Sequence, residues 1–274
     1  SGSASHPNAP CNRDITVHHL FSNQAARTPL NPAVVCGGER LSYLDLEIQS
    51  TNFARYLITN GVKASDRVGL CLDRSLHLVT AVLGIIKAGA TYVPLEPGYP
   101  DSRLKNLVAT AGIEVLVSRF SMMRKRGFFA GKLIDIDEGI LPIASLPDSQ
   151  KVIHGGRDVF ESSCDPERLL YVIFTSGSTG EPKATGAYHR AEVNLLHWYC
   201  REFGMDETQR VLLISALGFD LTQKNLFAAL IRGGCVIIPE FQEYDDRALL
   251  QLIRRESVSW INCAPSAFYP LQNR

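Results

Sequence analysis

The chain has 274 residues, 45% of them hydrophobic and 20% charged, a composition that fits a folded globular protein and excludes disorder. Its 28 Lys and Arg balance 28 Asp and Glu, so there is no electrostatic case for nucleic acid or an anionic membrane surface as the main partner. No apolar stretch reaches membrane-spanning length, because Lys87 and several Gly and Thr interrupt the most apolar region.

In chain order, residues 1–13 are small and polar with no signal-peptide pattern and read as a tag or linker, leaving 14–274 as the domain. Ser42 can cap a helix running through Leu46, Phe53 and Leu57 to Asn60-Gly61. A β-type run follows at 67–72, then a helix over 75–88 closed by Gly89. Residues 91–95 are extended, 101–111 helical, and 114–117 and 132–136 strand-like. Residues 137–166, with three prolines and Gly155-Gly156, read as a connection, and Arg124-Lys-Arg126 as a solvated loop. The continuous apolar run 169–174 marks a strand covered on both faces. Helices at 192–203, 221–231 and 247–255 then alternate with strands at 211–214, 235–238 and 258–261. This alternation predicts an α/β fold with doubly wound, mostly parallel sheet and helices on its faces. The seven cysteines are odd in number and lack CxxC spacing, which argues against a disulfide framework or a zinc site. Buried thiols in a reducing compartment, the cytoplasm, are the simplest reading.

The chemistry concentrates in Tyr171-Val-Ile-Phe-Thr-Ser-Gly-Ser-Thr-Gly-Glu-Pro-Lys183. An apolar strand runs directly into Thr175, Ser176, Gly177, Ser178, Thr179 and Gly180, and Lys183 follows. The glycines permit close backbone approach, the hydroxyls and amides can donate to phosphate oxygens, and the lysine adds positive charge. The G-x-x-G-x-x-K spacing is neither the Walker loop nor the dinucleotide fingerprint, and a Ser/Gly surface loop is the plain alternative.

This segment resembles the signature loop of the adenylate-forming superfamily. Three more stretches are similar to the adenylation domains of non-ribosomal peptide synthetases and occur in that family's order: Leu41-Ser-Tyr-Leu-Asp-Leu46, Lys87-Ala-Gly-Ala-Thr-Tyr-Val-Pro-Leu-Glu-Pro-Gly-Tyr-Pro100 and Phe219-Asp-Leu-Thr222. Ala184 stands where the family usually has glycine, and Thr222 where it has serine. The family's later adenine, ribose, hinge and C-terminal lysine segments are not among these residues. The resemblance therefore covers an incomplete N-terminal portion, expected to be inactive by itself. It implies amino-acid activation by ATP-dependent adenylation, with ATP and Mg as cofactors of the complete domain. It also implies neighbouring carrier-protein and condensation domains as partners.

The resemblance further implies that Thr175 to Gly180 and Lys183 hold the phosphates, with Thr175 near the magnesium, and that Asp220 pairs with the substrate ammonium. The plain alternatives are a solvated lysine at 183 and a helix cap at Asp220. Phe219, Leu221, Lys224 and Asn262 fall at pocket positions. Lys224 points either to a polar or acidic substrate or to a stem lining the wall with its amine in solvent. His18-His19 lacks the Asp-Gly of the condensation motif and reads as surface or packing residues, and His189-Arg190 reads as structural. Two other functions stay open at this point. One is a non-catalytic, adenylation-like scaffold between synthetase domains. The other is an acyl- or aryl-adenylate former, against which Asp220 argues because such substrates carry no amine.

Overall fold

The computed structural model describes residues 15–141, 165–176, 182–241 and 244–272. Their elements run α1 (Val17–Arg27), β1 (Pro32–Cys36), β2 (Glu39–Ser42), α2 (Tyr43–Thr59), β3 (Arg67–Leu70), α3 (Leu76–Lys87), β4 (Thr91–Pro94), α4 (Asp101–Ala111), β5 (Val115–Ser118), α5 (Phe120–Met123), β6 (Lys132–Asp135), α6 (Ile136–Gly139), β7 (Leu169–Ser176), β8 (Pro182–Tyr188), α7 (His189–Glu202), β9 (Arg210–Leu212), α8 (Asp220–Arg232), β10 (Cys235–Ile238), α9 (Asp246–Arg255), β11 (Trp260–Ile261) and α10 (Pro265–Gln272).

The strands divide between two sheets, ordered β6-β5-β3-β4-β7-β8 and β11-β9-β10-β1-β2. Every pairing is parallel except the two at the β2 and β8 edges, which are antiparallel. The eight strand segments expected from the sequence all take part in parallel pairings, although the last is shorter than expected, only Trp260–Ile261.

Side-chain alternation along each strand assigns residues to layers. Val68 and Leu70 of β3, Val34 and Cys36 of β1, and Val236 and Ile238 of β10 all enter one core, together with α1, α2, α3, α7 and α8. The alternate residues Val93, Leu116 and Val172 pack outward with Leu104 and Leu107 of α4. On the far side of the other sheet, Val35, Leu212 and Ile237 pack with Leu249 and Leu252 of α9. Five layers result, with one helical layer shared by both sheets. α3 lies within that layer and all but two of its residues are buried, which explains why it is apolar around its whole circumference. At its closest approach to α2, a Cβ on Gly84 would sit 2.5 Å from the Phe53 ring.

Local chemistry accounts for the ends of these elements. Ser42 accepts a hydrogen bond from the Asp45 amide, and Asp45 accepts from the Ser42 amide, a capping box at the start of α2. Arg126 is not a solvated loop residue. Its guanidinium binds Asp101 at 2.7 Å and donates to the carbonyls of Pro97 and Tyr99, clamping the turn that leads into α4. The segments missed in the sequence are α1, the β1–β2 pair, the short helices α5, α6 and α10, and β8, which forms an edge and is mostly exposed. Of the expected connection at 137–166, residues 142–164 lie outside the described residues, and 137–139 end the short α6.

The described cysteines are all free. Cys36, Cys71, Cys200 and Cys235 are buried, and burial pushes their thiols up to about 11 or 12, so they act as small apolar residues. Lys87, rather than merely interrupting an apolar run, is buried in the shared layer. It pairs with Glu47 at 2.8 Å and donates to the Thr51 hydroxyl at 3.0 Å, while the Ser22 hydroxyl donates to Glu47. Removing one member leaves the other charge buried and unpaired. Lys87→Met is expected to cost about 3–5 kcal/mol, and the double change with Glu47→Leu to recover most of it. Urea denaturation of the two variants checks this.

Candidate functional site

The apolar β7 carries Thr175 and Ser176 at its C-terminal end. β8 returns antiparallel to it, with Ser176 opposite Pro182 and Thr175 opposite Lys183. The Thr175 hydroxyl donates to the Lys183 carbonyl at 3.5 Å, and both residues are exposed. A hydroxyl and an ammonium thus stand across from each other at the mouth of this hairpin. Gly177, Ser178, Thr179 and Gly180 lie outside the described residues. β8 comes this close to β7 because Gly186 has no side chain: a Cβ there would lie 2.7 Å from Leu169 Cδ2.

The second group of expected residues sits at the start of α8 and after β11. Asp220 is the first residue of α8, and Phe219 holds the capping position without a side-chain bond. Among the described residues Asp220 Oδ1 accepts only from the adjacent Leu221 amide, at 2.6 Å, so it does not cap the helix. Its carboxylate is exposed, and so is the Phe219 ring. Leu221 and Lys224 lie one turn apart and half-buried, whereas Thr222, Gln223 and Leu226 turn into the core.

Tyr199 of α7 joins this helix to Asn262. The Lys224 ammonium lies over its ring, 4.7 Å from the centroid. Its hydroxyl accepts from Asn262 Nδ2 at 3.2 Å and from Trp260 Nε1 at 3.1 Å. Asn262 is further locked by reciprocal bonds with Asn225, at 2.8 and 3.1 Å. The structure thus brings Lys224 and Asn262 together and leaves Phe219 outside that cluster.

A residue absent from the sequence-level candidates links the two groups. Glu192 of α7 is 3% exposed and accepts from the Tyr171 hydroxyl of β7 at 3.3 Å. Burial raises its carboxyl to about 7; the Tyr171 bond and Lys224 pull it down, and Asp220 pushes it up. Burial and Glu192 together raise the Tyr171 hydroxyl, with Asp220 adding to the effect. Beside them Tyr92 donates to Gln223, which donates in turn to the Leu217 carbonyl. The signal for Glu192 was present in the sequence. It occupies the core-facing stripe of α7 with Val193, Leu196, Tyr199 and Cys200, where a carboxyl is out of place.

A cleft opens where the segments 94–97 and 213–218 meet. Leu72, Leu95, Leu213 and Ile238 form apolar walls, with Arg74 and Glu96 among them. It lies on the core side of the start of α8: Thr222 lines it, but Thr175, Lys183, Asp220, Leu221, Lys224 and Asn262 do not. It is therefore separate from the candidate site. The histidine pair also proves structural. His18 is buried against His19 and His189, and His189 Nδ1 accepts from the Val17 amide at 3.3 Å, tying α1 to α7. Arg190 pairs with Glu167 at 2.5 Å. Among the described residues no group of three or more His, Cys, Asp or Glu is placed to hold a metal ion, and no helix is long and apolar enough to cross a membrane.

Residues 21–274 match the family model described as AMP-binding enzyme. The chain belongs to the AMP-binding enzyme family. It is 34% identical over 253 residues to malpinin synthetase of Mortierella alpina, covering 92% of this chain and 3% of that protein. It is 31% identical over 257 residues to bacitracin synthase 3 of Bacillus licheniformis, covering 93% of this chain and 4% of that one. The crystal structure of the non-ribosomal peptide synthetase FmoA3 superposes with a TM-score of 0.82 at 27% identity, over 94% of this chain and 26% of its own. Its AMPPNP-bound form superposes with a TM-score of 0.81 at 26% identity, over 95% of this chain and 26% of its own. The chain thus spans a small share of the curated relatives it matches. As an AMP-binding family member it has the expected α/β architecture, with its candidate residues after the C-terminal ends of parallel strands, where open α/β sheets bind ligands.

Glu192 makes this family member's stability depend on pH. Its carboxyl titrates near 7 when folded, against about 4.5 unfolded, so between those values the folded state holds a proton that the unfolded chain has lost. Its contribution is full below about pH 4.5 and falls by about 3 kcal/mol as the pH rises through 7. Glu192→Gln is expected to remove this slope, as read from urea midpoints of both proteins at pH 5 and pH 8.

Proposed function

We propose that the chain is the part of a non-ribosomal peptide synthetase that activates an amino acid by ATP-dependent adenylation. The observation that carries this reading is the pairing of two groups. Thr175 faces Lys183 at the open end of β7, and Lys224 and Asn262 meet at Tyr199, one turn along α8 from Asp220 and Leu221, with Glu192 bound to Tyr171 of β7. Membership of the AMP-binding family and likeness to peptide synthetases support it.

The donor set fits a nucleotide triphosphate: an exposed hydroxyl at Thr175 and an exposed ammonium at Lys183 stand at a strand terminus, next to the Ser/Gly segment 176–180. ATP, with its magnesium, supplies the α-phosphorus as electrophile and pyrophosphate as leaving group. The protein's part is to position and to balance charge. Thr175, Ser176, Gly177, Ser178, Thr179, Gly180 and Lys183 would hold phosphate oxygens. Asp220 would pair with the substrate ammonium, leaving the substrate carboxylate free to attack, while Phe219, Leu221, Lys224 and Asn262 border its side chain. Neighbouring carrier-protein and condensation domains would be the partners, and the cytoplasm the location.

In the full synthetase polypeptide, Asp220→Ala is expected to raise the KM for the amino acid about 10- to 100-fold, the loss of one charge-assisted hydrogen bond, with a smaller effect on the KM for ATP. Amino-acid-dependent ATP–pyrophosphate exchange measures both. An unchanged amino-acid KM would remove Asp220 from substrate binding.

A further inference from the structure

Glu192 is buried at the junction of β7, α7 and α8, and only one of its two carboxyl oxygens is used. Oε2 accepts from Tyr171 at 3.3 Å, whereas Oε1 is buried with no hydrogen-bond partner among the described residues. The Tyr171 hydroxyl accounts for Oε2, but no described residue accounts for Oε1. A ligand that donates to Oε1 would satisfy it.

The surroundings narrow the ligand. Asp220 and Lys224 lie near enough to bias the ionisation of Glu192 in opposite directions. The Lys224 ammonium rests on the Tyr199 ring, and both Asn262 amide hydrogens are taken by Tyr199 and Asn225. On the reading of Asp220, Leu221, Lys224 and Asn262 as the amino-acid pocket, Glu192 stands behind that pocket with a free acceptor. An anionic substrate side chain would meet two carboxyls. A cationic one would place a second positive charge beside Lys224. An uncharged group with an N–H or O–H meets neither cost.

We propose that Glu192 is a specificity-determining residue of this pocket, its Oε1 accepting a hydrogen bond from a hydroxyl or carboxamide on the side chain of the activated amino acid. The test is ATP–pyrophosphate exchange over the twenty amino acids with the full polypeptide, comparing wild type, Glu192→Leu and Glu192→Gln. The preferred amino acid is expected to carry a hydroxyl or carboxamide. Glu192→Leu should lower its kcat/KM by about 100-fold or more and move the preference toward apolar side chains, and Glu192→Gln should retain the wild-type order. Thermal melting of Glu192→Leu at or above the wild-type midpoint would show that the variant is folded. An unaltered order in folded Glu192→Leu, or a preferred substrate without a side-chain donor, overturns the assignment while leaving adenylation standing. Exchange with no amino acid overturns both.

Discussion

The fold depends on two sheets sharing one layer of helices. α3 has no face in solvent, so it must be apolar all round, must approach α2 closely at Gly84, and can keep its single charged residue, Lys87, only by pairing it with Glu47. Each strand that touches this layer must alternate between the shared core and an outer one, which is why Val68 and Leu70 of β3 face the same core as Val34 of β1 and Val236 of β10. A parallel sheet needs cover on both faces, and the outer helices α4 and α9 supply the rest.

The same arrangement builds the candidate site. The hairpin with Thr175 and Lys183 extends from one sheet, and Asn262 follows the last strand of the other. Between them lie α7 and α8 of the shared layer. Tyrosines connect the parts because each spans a packed layer with an apolar ring and ends in a hydroxyl that requires a partner. Tyr171 reaches from β7 to α7, and Tyr199 reaches from α7 to Asn262 and Trp260 while its ring supports Lys224. The polar atoms at the base of the candidate site are therefore held by packed strands and helices rather than by a surface loop.

A buried carboxyl in such a place is held against its own solvation. Glu192 keeps its proton to about neutral pH because burial outweighs both the Tyr171 bond and the nearby Lys224. Its neighbours Tyr92 and Gln223 satisfy each other and the Leu217 carbonyl, so the unused valence in this part of the core rests with Glu192 Oε1 and, on the cleft side of α8, the Thr222 hydroxyl. The cleft meets the start of α8 at Thr222, and its walls are mainly apolar, with Arg74 and Glu96 among them.

By itself the sequence determined the alternating α/β elements, the parallel strands, the helix cap at Ser42, the Thr175–Lys183 segment and the family it belongs to. These follow from local periodicity, from turn chemistry and from short motifs whose residues are adjacent in the chain. Tertiary structure decided what depends on contacts across the chain. The division of the strands into two sheets was not legible, because alternation indicates two buried faces without naming what covers each. β8 was missed because an exposed edge strand with Pro, Lys and three small residues, Ala184, Gly186 and Ala187, has no apolar pattern. By sequence Asp220 had a helix cap as the plain alternative to its ligand role; among the described residues its carboxylate accepts only from the adjacent Leu221 amide, which is not a cap. The pairing of Lys87 with Glu47 was not legible because a buried ion pair 40 residues apart leaves no local mark. Glu192 differs: its place on the apolar stripe of α7 was visible, but whether a carboxyl there is paired, charged or free depends on Tyr171, Asp220 and Lys224, which only folding brings to it.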